Sequence, residues 1–66
     1  MKNSIKVERA KKNITQEELA NRIQISRQSV NAIETGKFVP STILALKIAR
    51  YFDTTVEQIF ELEQND

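Results

Sequence analysis

Arg27, Gln28, Ser29, Asn31 and Ala32 stand together in the run RQSVNA, broken only by Val30. Arginine carries a planar fork of donors that fits the O6 and N7 acceptors of guanine, while glutamine and asparagine each pair a donor with an acceptor, the pattern adenine presents. Ser29 is short enough to meet a backbone phosphate, and Ala32 can lie against a thymine methyl. Any one of these residues alone would be an ordinary solvated side chain. Grouped, and placed directly after a capping residue and a turn, they have the chemistry of a surface that reads base edges in a DNA major groove.

That chemistry requires a helix over 27–35 with its apolar side turned inward, and Val30 and Ile33 supply that side. Ser26 is the expected cap, Ile25 and Val30 form a hydrophobic staple across the first turn, and Gly36, the only glycine, ends the helix. The preceding helix is expected over 16–23. Thr15 and Glu18 have capping-box spacing, Ile14 can staple to Leu19, and Leu19, Ala20 and Ile23 face inward. Ala20 falls where two crossing helices would meet, and a larger side chain there would push them apart. Gln24-Ile25 makes the turn between them, so residues 16–36 read as a helix–turn–helix.

The remaining elements frame this pair. A first helix is expected over 5–12, capped by Asn3 or Ser4, with a thin stripe of Ile5, Val7 and Ala10 and a left-handed stop at Asn13. Lys37 to Pro40 connects to a fourth helix over 42–52, capped by Ser41, with Ala45, Ile48, Ala49 and Phe52 on one face and Ile43 and Leu44 towards the sides. Thr55 and Gln58 have capping-box spacing for a short fifth helix over 56–60. The tail 61–66 reads as one short strand or as a frayed end. The expectation is one all-α, compact five-helix domain over 1–66, with or without a short C-terminal strand.

Composition narrows the function. The 66 residues include no cysteine and no histidine, which removes disulfides, Cys/His zinc sites, thiol or imidazole catalysis and a histidine pH switch. Carboxylates are present, but none forms an inward-facing pair, so no catalytic residue, cofactor site or metal site is expected. No apolar run approaches the roughly 20 residues that span a bilayer, and no signal-peptide pattern opens the chain, so the expected compartment is the cytoplasm. Charge is segregated. Residues 1–50 hold all 10 Lys/Arg and four acids, a balance of +6, whereas 51–66 hold five acids and no base. One end is then expected to face a polyanion and the other to face away.

Phosphate contacts are expected to flank the reading helix. Gln16 opens the second helix, where free amides and the helix dipole favour an anion, and Ser41 and Thr42 open the fourth in the same way. Ser29, Lys37 and the backbone around Phe38 complete the set, with Lys11 or Arg22 adding long-range attraction. Arg9 interrupts a core-facing stripe and Glu34 adjoins Ile33, so a bidentate structural pair is expected between them. Leu44, Val56, Ile59 and Leu62 are the expected dimer interface, the alternative being that Val56 and Ile59 are wholly intramolecular core.

The stretch TQEELANRIQISRQSVNAIETGKFVPSTILALKIARYF resembles the phage-repressor-type (Cro/Xre) helix–turn–helix regulators, and the likeness extends over nearly the whole chain. It is similar in particular to short free-standing members such as cytolysin-operon repressors. The resemblance implies a five-helix domain that binds a pseudo-palindromic double-stranded DNA operator as a homodimer and usually represses. It also implies that Gln16 touches phosphate, that Arg27 and Gln28 read bases, and that Arg9 and Glu34 form a structural pair. No membrane and no small-molecule ligand are expected partners. Three residues depart from the family pattern: Gln24 and Asn13 stand where glycine is usual, and Glu8 stands where an apolar residue is more common. Two other classes compete with this reading. A protein-interaction module, such as an antitoxin, would need a segment for its partner, and an enzyme would need a pocket.

Overall fold

Leu19 has no accessible surface, and Ile5, Val30, Ile33 and Ile48 expose 2% or less. These side chains, with Ala20, Ile23, Ala49, Phe52, Ile59 and Phe60, form one continuous apolar cluster. The computed structural model describes residues 1–66. The order of elements is β1 (Lys2–Asn3), α1 (Ile5–Lys12), α2 (Gln16–Ile23), α3 (Arg27–Glu34), α4 (Thr42–Tyr51), α5 (Val56–Ile59) and β2 (Phe60–Glu61). Helix α2 packs on α3 and α4, and α5 closes against α4. Ala20, on α2, is 2% exposed and belongs to this core.

Local chemistry explains where the helices begin. Thr15 Oγ1 accepts from the Glu18 amide at 3.0 Å while the Glu18 carboxylate accepts from the Thr15 amide at 3.0 Å, a complete capping box. Ser26 and Ser41 accept from the amides three residues on, at 3.0 and 3.1 Å. Thr55 caps α5 in the same way at 3.3 Å, but only this half of the expected box forms. At α1 the cap function belongs to Asn3, whose Oδ1 accepts from the Ile5 amide at 3.2 Å, and not to the side chain of Ser4.

Helices α1 and α2 keep the expected bounds, whereas α3, α4 and α5 end one residue inside them. Thr35 and Phe52 become C-caps, and Phe60 leaves α5 to enter β2. Three non-glycine residues take left-handed backbone angles: Asn13 (φ 57°), Gln24 (φ 62°) and Asp53 (φ 56°). Gly36 adopts φ 79°, where a Cβ would be strained.

One expectation is corrected, and one of two open readings is found. The stripe of α1 reduces to Ile5: Val7 is 54% exposed and Ala10 also faces solvent. Helix α1 is held in other ways, by Arg9, by a contact of the Lys12 ammonium with the Tyr51 ring 5.3 Å from its centroid, and by the Ser4 amide donating to Ile59 O. The short C-terminal strand does form, but it pairs with a strand at the other end of the chain, antiparallel, with Lys2 opposite Glu61 and Asn3 opposite Phe60. Lys2-Asn3 carries no β-forming pattern; its pairing is imposed by Phe60 (8% exposed) anchoring β2 in the core.

This pairing also relocates the acidic tail. Met1, Glu63 and the α3 terminus (Glu34, Thr35, Gly36) line one surface depression. Glu63, from the acidic segment, is therefore folded back beside the C-terminal end of α3.

Candidate nucleic-acid interface

Val30 and Ile33 are each 2% exposed and hold α3 on the core, which turns Arg27, Gln28 and Asn31 to solvent. Ser29 and Ala32 are half-buried at the flanks. Gln16, at the first position of α2, joins Arg27, Gln28 and Asn31 around a shallow depression of about 250 Å³. Four polar residues and no apolar one line it, so the first turn and a half of α3 and the start of α2 form one hydrogen-bonding surface.

Behind this surface stands a charged pair. Arg9 Nε donates to Glu34 Oε2 at 2.6 Å and the guanidinium donates a second bond to Oε1 at 3.1 Å, the two-point geometry that arginine makes with a carboxylate. The side chains are 14% and 6% exposed. A third bond runs from Arg9 to the carbonyl of Ile14 at 3.0 Å. The hydrogen bonds it donates to Glu34, opposed by desolvation, raise the Arg9 guanidinium above its ordinary value, so it stays charged throughout the usual pH range.

The pair continues into the exposed surface. Gln16 Nε2 donates to Glu34 Oε1 at 3.2 Å and to Asn31 Oδ1 at 3.1 Å. Sequence reasoning missed this link, because a contact between positions 15 residues apart depends on the crossing of α2 and α3. Its consequence for Gln16 is specific. Both side-chain protons are engaged within the protein, so what Gln16 can still offer an anion is its main-chain amide at the helix start.

The flanking candidates divide. Ser41, Thr42 and Lys37 are exposed. Ser29 Oγ lies 2.9 Å from Ser26 Oγ, and so has a local partner. The amides of Lys37 and Phe38 both donate to the Ala32 carbonyl, at 2.9 and 3.2 Å. The Phe38 amide is thus engaged in closing the end of α3, and the Lys37 amide likewise, which leaves Lys37 its ammonium. Among the four residues expected at a dimer interface, Ile59 is 2% exposed and belongs to the core, so it is corrected. Leu44 and Val56 are half-buried against that core, and Leu62 is 77% exposed. The larger exposed apolar residues of α4 are Ile43 (70%) and Leu46 (56%), which the expected interface left out. Their spacing of three residues was the available signal, opposite the Ala45, Ile48 and Ala49 face.

Two capped helices packed on each other, the second presenting arginine, glutamine and asparagine from its first turns, define a helix–turn–helix DNA-binding domain. A family model described as "Helix-turn-helix" matches residues 5–59, and the chain belongs to this family of Cro/C1-type (Xre) regulators. The chain is 48% identical to an uncharacterised HTH-type transcriptional regulator of Methanocaldococcus jannaschii and 44% identical to the HTH-type regulator YgzD of Bacillus subtilis, in both cases across the full length of both chains. It is 32% identical over 56 residues to the HTH-type transcriptional activator BcrR of Enterococcus faecalis; that match spans 85% of this chain and 28% of BcrR. The protein is a DNA-binding transcriptional regulator and not an enzyme. No helix is long and apolar enough to cross a membrane.

Proposed function

We propose that residues 1–66 act as one unit that represses transcription, binding a pseudo-palindromic operator as a homodimer with α3 in the major groove. The observation that carries this reading is the division of α3 into a buried side, Val30 and Ile33, and an exposed side, Arg27, Gln28 and Asn31. Arg27, Gln28 and Asn31 then read base edges, with Ala32 against a thymine methyl. The main-chain amide of Gln16, the hydroxyls of Ser29, Ser41 and Thr42, and the Lys37 ammonium hold phosphates and set the register.

A domain of this size covers little DNA, and a second copy doubles the contact. The surface proposed for a second copy is the exposed apolar edge of α4, Ile43 and Leu46, with half-buried Val56 and Leu44 and with exposed Leu62. Two-fold symmetry would place the two α3 helices in successive major grooves about 34–36 Å apart. Repression follows from such binding when the site overlaps a promoter. Activation is the second reading, favoured by the name of BcrR, a protein that extends far beyond the matched region.

Selection from random duplex DNA at near-physiological salt tests the proposal. An inverted repeat with half-sites one helical turn apart is the expected product. A single half-site would remove the dimer, and no enrichment would remove sequence-specific readout. Transcription in vitro from a promoter carrying the selected site then separates repression from activation.

A further inference from the structure

Glu34, Gln16 and Asn31 form a hydrogen-bonded chain whose direction is fixed at one end by a carboxylate. Both Glu34 oxygens are held by Arg9, and a carboxylate in such a pair only accepts. Glu34 Oε1 lies 3.2 Å from the Gln16 amide group, so Gln16 must turn its nitrogen, not its oxygen, towards the end of α3. The same nitrogen lies 3.1 Å from the Asn31 amide group, with its second proton directed there, so Asn31 must answer with its oxygen. Side-chain amides can ordinarily be turned by 180° without changing shape. Here the carboxylate removes that freedom from both amides in turn.

We infer that Gln16 is a positioning residue for base readout: through it the Arg9–Glu34 pair locks Asn31 with Nδ2 outward, so α3 offers DNA a donor at this point and discriminates against cytosine. This rests on the reading of α3 as the helix in the major groove. Adenine and guanine present N7 there, guanine also O6, and thymine O4, all acceptors; cytosine presents only its N4 donor. A free asparagine would turn over and accept from N4. A turn by Asn31 would set its NH2 against the NH2 of Gln16, two donors facing each other with no acceptor between them.

The test is selection from random duplex DNA with the unmodified protein, Asn31→Ala and Gln16→Met, the last keeping the length of the side chain without its amide. Asn31→Ala identifies the position that Asn31 reads. In the unmodified protein cytosine on the contacted strand should be depleted there by about tenfold or more. In Gln16→Met that depletion should fall to about threefold or less at this position alone, the other positions keeping their preferences. If the unmodified protein selects no motif, the DNA reading itself has failed. If it selects a motif that tolerates cytosine at the Asn31 position, or one that Gln16→Met leaves unchanged or weakens evenly at every position, the positioning role is overturned. A measurement without substitution stands beside it. In the free protein the Gln16 side-chain amide protons should exchange with water more slowly than those of Asn31, and the opposite order would refute the chain.

Discussion

Arg9 on α1 and Glu34 at the end of α3 meet through two parallel hydrogen bonds, 2.6 and 3.1 Å long, across 25 positions of sequence. Helix α1 buries only Ile5, and this pair ties it to the end of the helix–turn–helix. Removing one partner leaves the other charge poorly solvated, which in comparable buried pairs costs about 3–5 kcal/mol. Arg9→Ala and Glu34→Ala should therefore each lower stability in urea melts by about 3 kcal/mol, a large share of what a domain of this size possesses. Arg9→Lys should recover little, because an ammonium cannot make the paired contact. Melts indistinguishable from the parent would assign α1 to other contacts.

Gln24 should be improved by losing its side chain. Its φ of 62° is a left-handed angle that costs an ordinary residue about 1–2 kcal/mol. Glycine adopts it freely but raises the entropy of the unfolded chain by up to about 1 kcal/mol. Gln24→Gly should thus raise stability by about 1 kcal/mol, seen as a higher urea midpoint with an unchanged slope. Asn13→Gly should gain less, since asparagine tolerates this region better than glutamine. A loss of stability at Gln24 would mean that its exposed side chain makes a contribution greater than the strain.

These residues also show why the fold was largely readable. Thr15 with Glu18, Ser26, Ser41 and Thr55 are local signals, and each cap needs only the next three residues to be recognised. Val30 and Ile33 likewise mark the inner side of α3 by spacing alone. What escaped depends on contacts distant in sequence. Lys2 opposite Glu61 has no local pattern to announce a strand, and Val7 has a core residue's chemistry in a helix that never turns it inward. Gln16 stands at a helix start whether or not Asn31 and Glu34 wait across the crossing. Ile59 and Val56 looked alike in the sequence; α5 resolves them by turning Ile59 into the core and leaving Val56 half-exposed.

A clasp between the chain ends should depend on pH in a definite window. The Met1 ammonium lies 2.9 Å from Glu63 and 3.0 Å from Asp66. Hydrogen bonds to Glu63 and then Asp66 raise it above its ordinary 8.0, while the Glu63 amide and then the ammonium hold Asp66 below its ordinary 3.8. A raised ammonium contributes fully below 8.0 and loses its contribution as pH climbs through the raised value. A lowered carboxylate contributes above 3.8 and loses it as pH falls through the lowered value. The clasp should then be closed from roughly pH 4 to 8. Acetylating Met1 should return Asp66 only part of the way in an NMR titration, because its larger partner is the Glu63 amide. A complete return would show that the ammonium alone accounts for the shift.

Leu46 is 56% exposed on α4 beside Ile43, and the proposed dimer uses both. Leu46→Glu puts a charge on a surface that a second copy would cover and removes little from the core. It should leave the thermal melt of the dilute protein nearly unchanged while raising the dimer dissociation constant by about tenfold or more, measured by sedimentation. Dissociation unaffected by both Leu46→Glu and Ile43→Glu would place the interface elsewhere.

Arg27 and Lys37 are both exposed cations at α3, one at its first residue and one just past its end, and they should fail differently. Arg27 can give guanine two directed bonds, so Arg27→Ala should relax preference at one base pair and cost about 1–3 kcal/mol on the selected site. It should cost much less on random DNA, where that contact is not made. Lys37 can give phosphate only charge, and Lys37→Ala should weaken selected and random duplexes by similar factors. Salt separates the two further. Each phosphate contact contributes about −0.9 to the slope of log affinity against log salt. Lys37→Ala should flatten that slope by about one, while Arg27→Ala should change it less, because the base contact it removes displaces fewer counterions from phosphate. Equal slope changes with an intact base preference in Arg27→Ala would turn Arg27 into a phosphate contact and move the readout to Gln28 and Asn31.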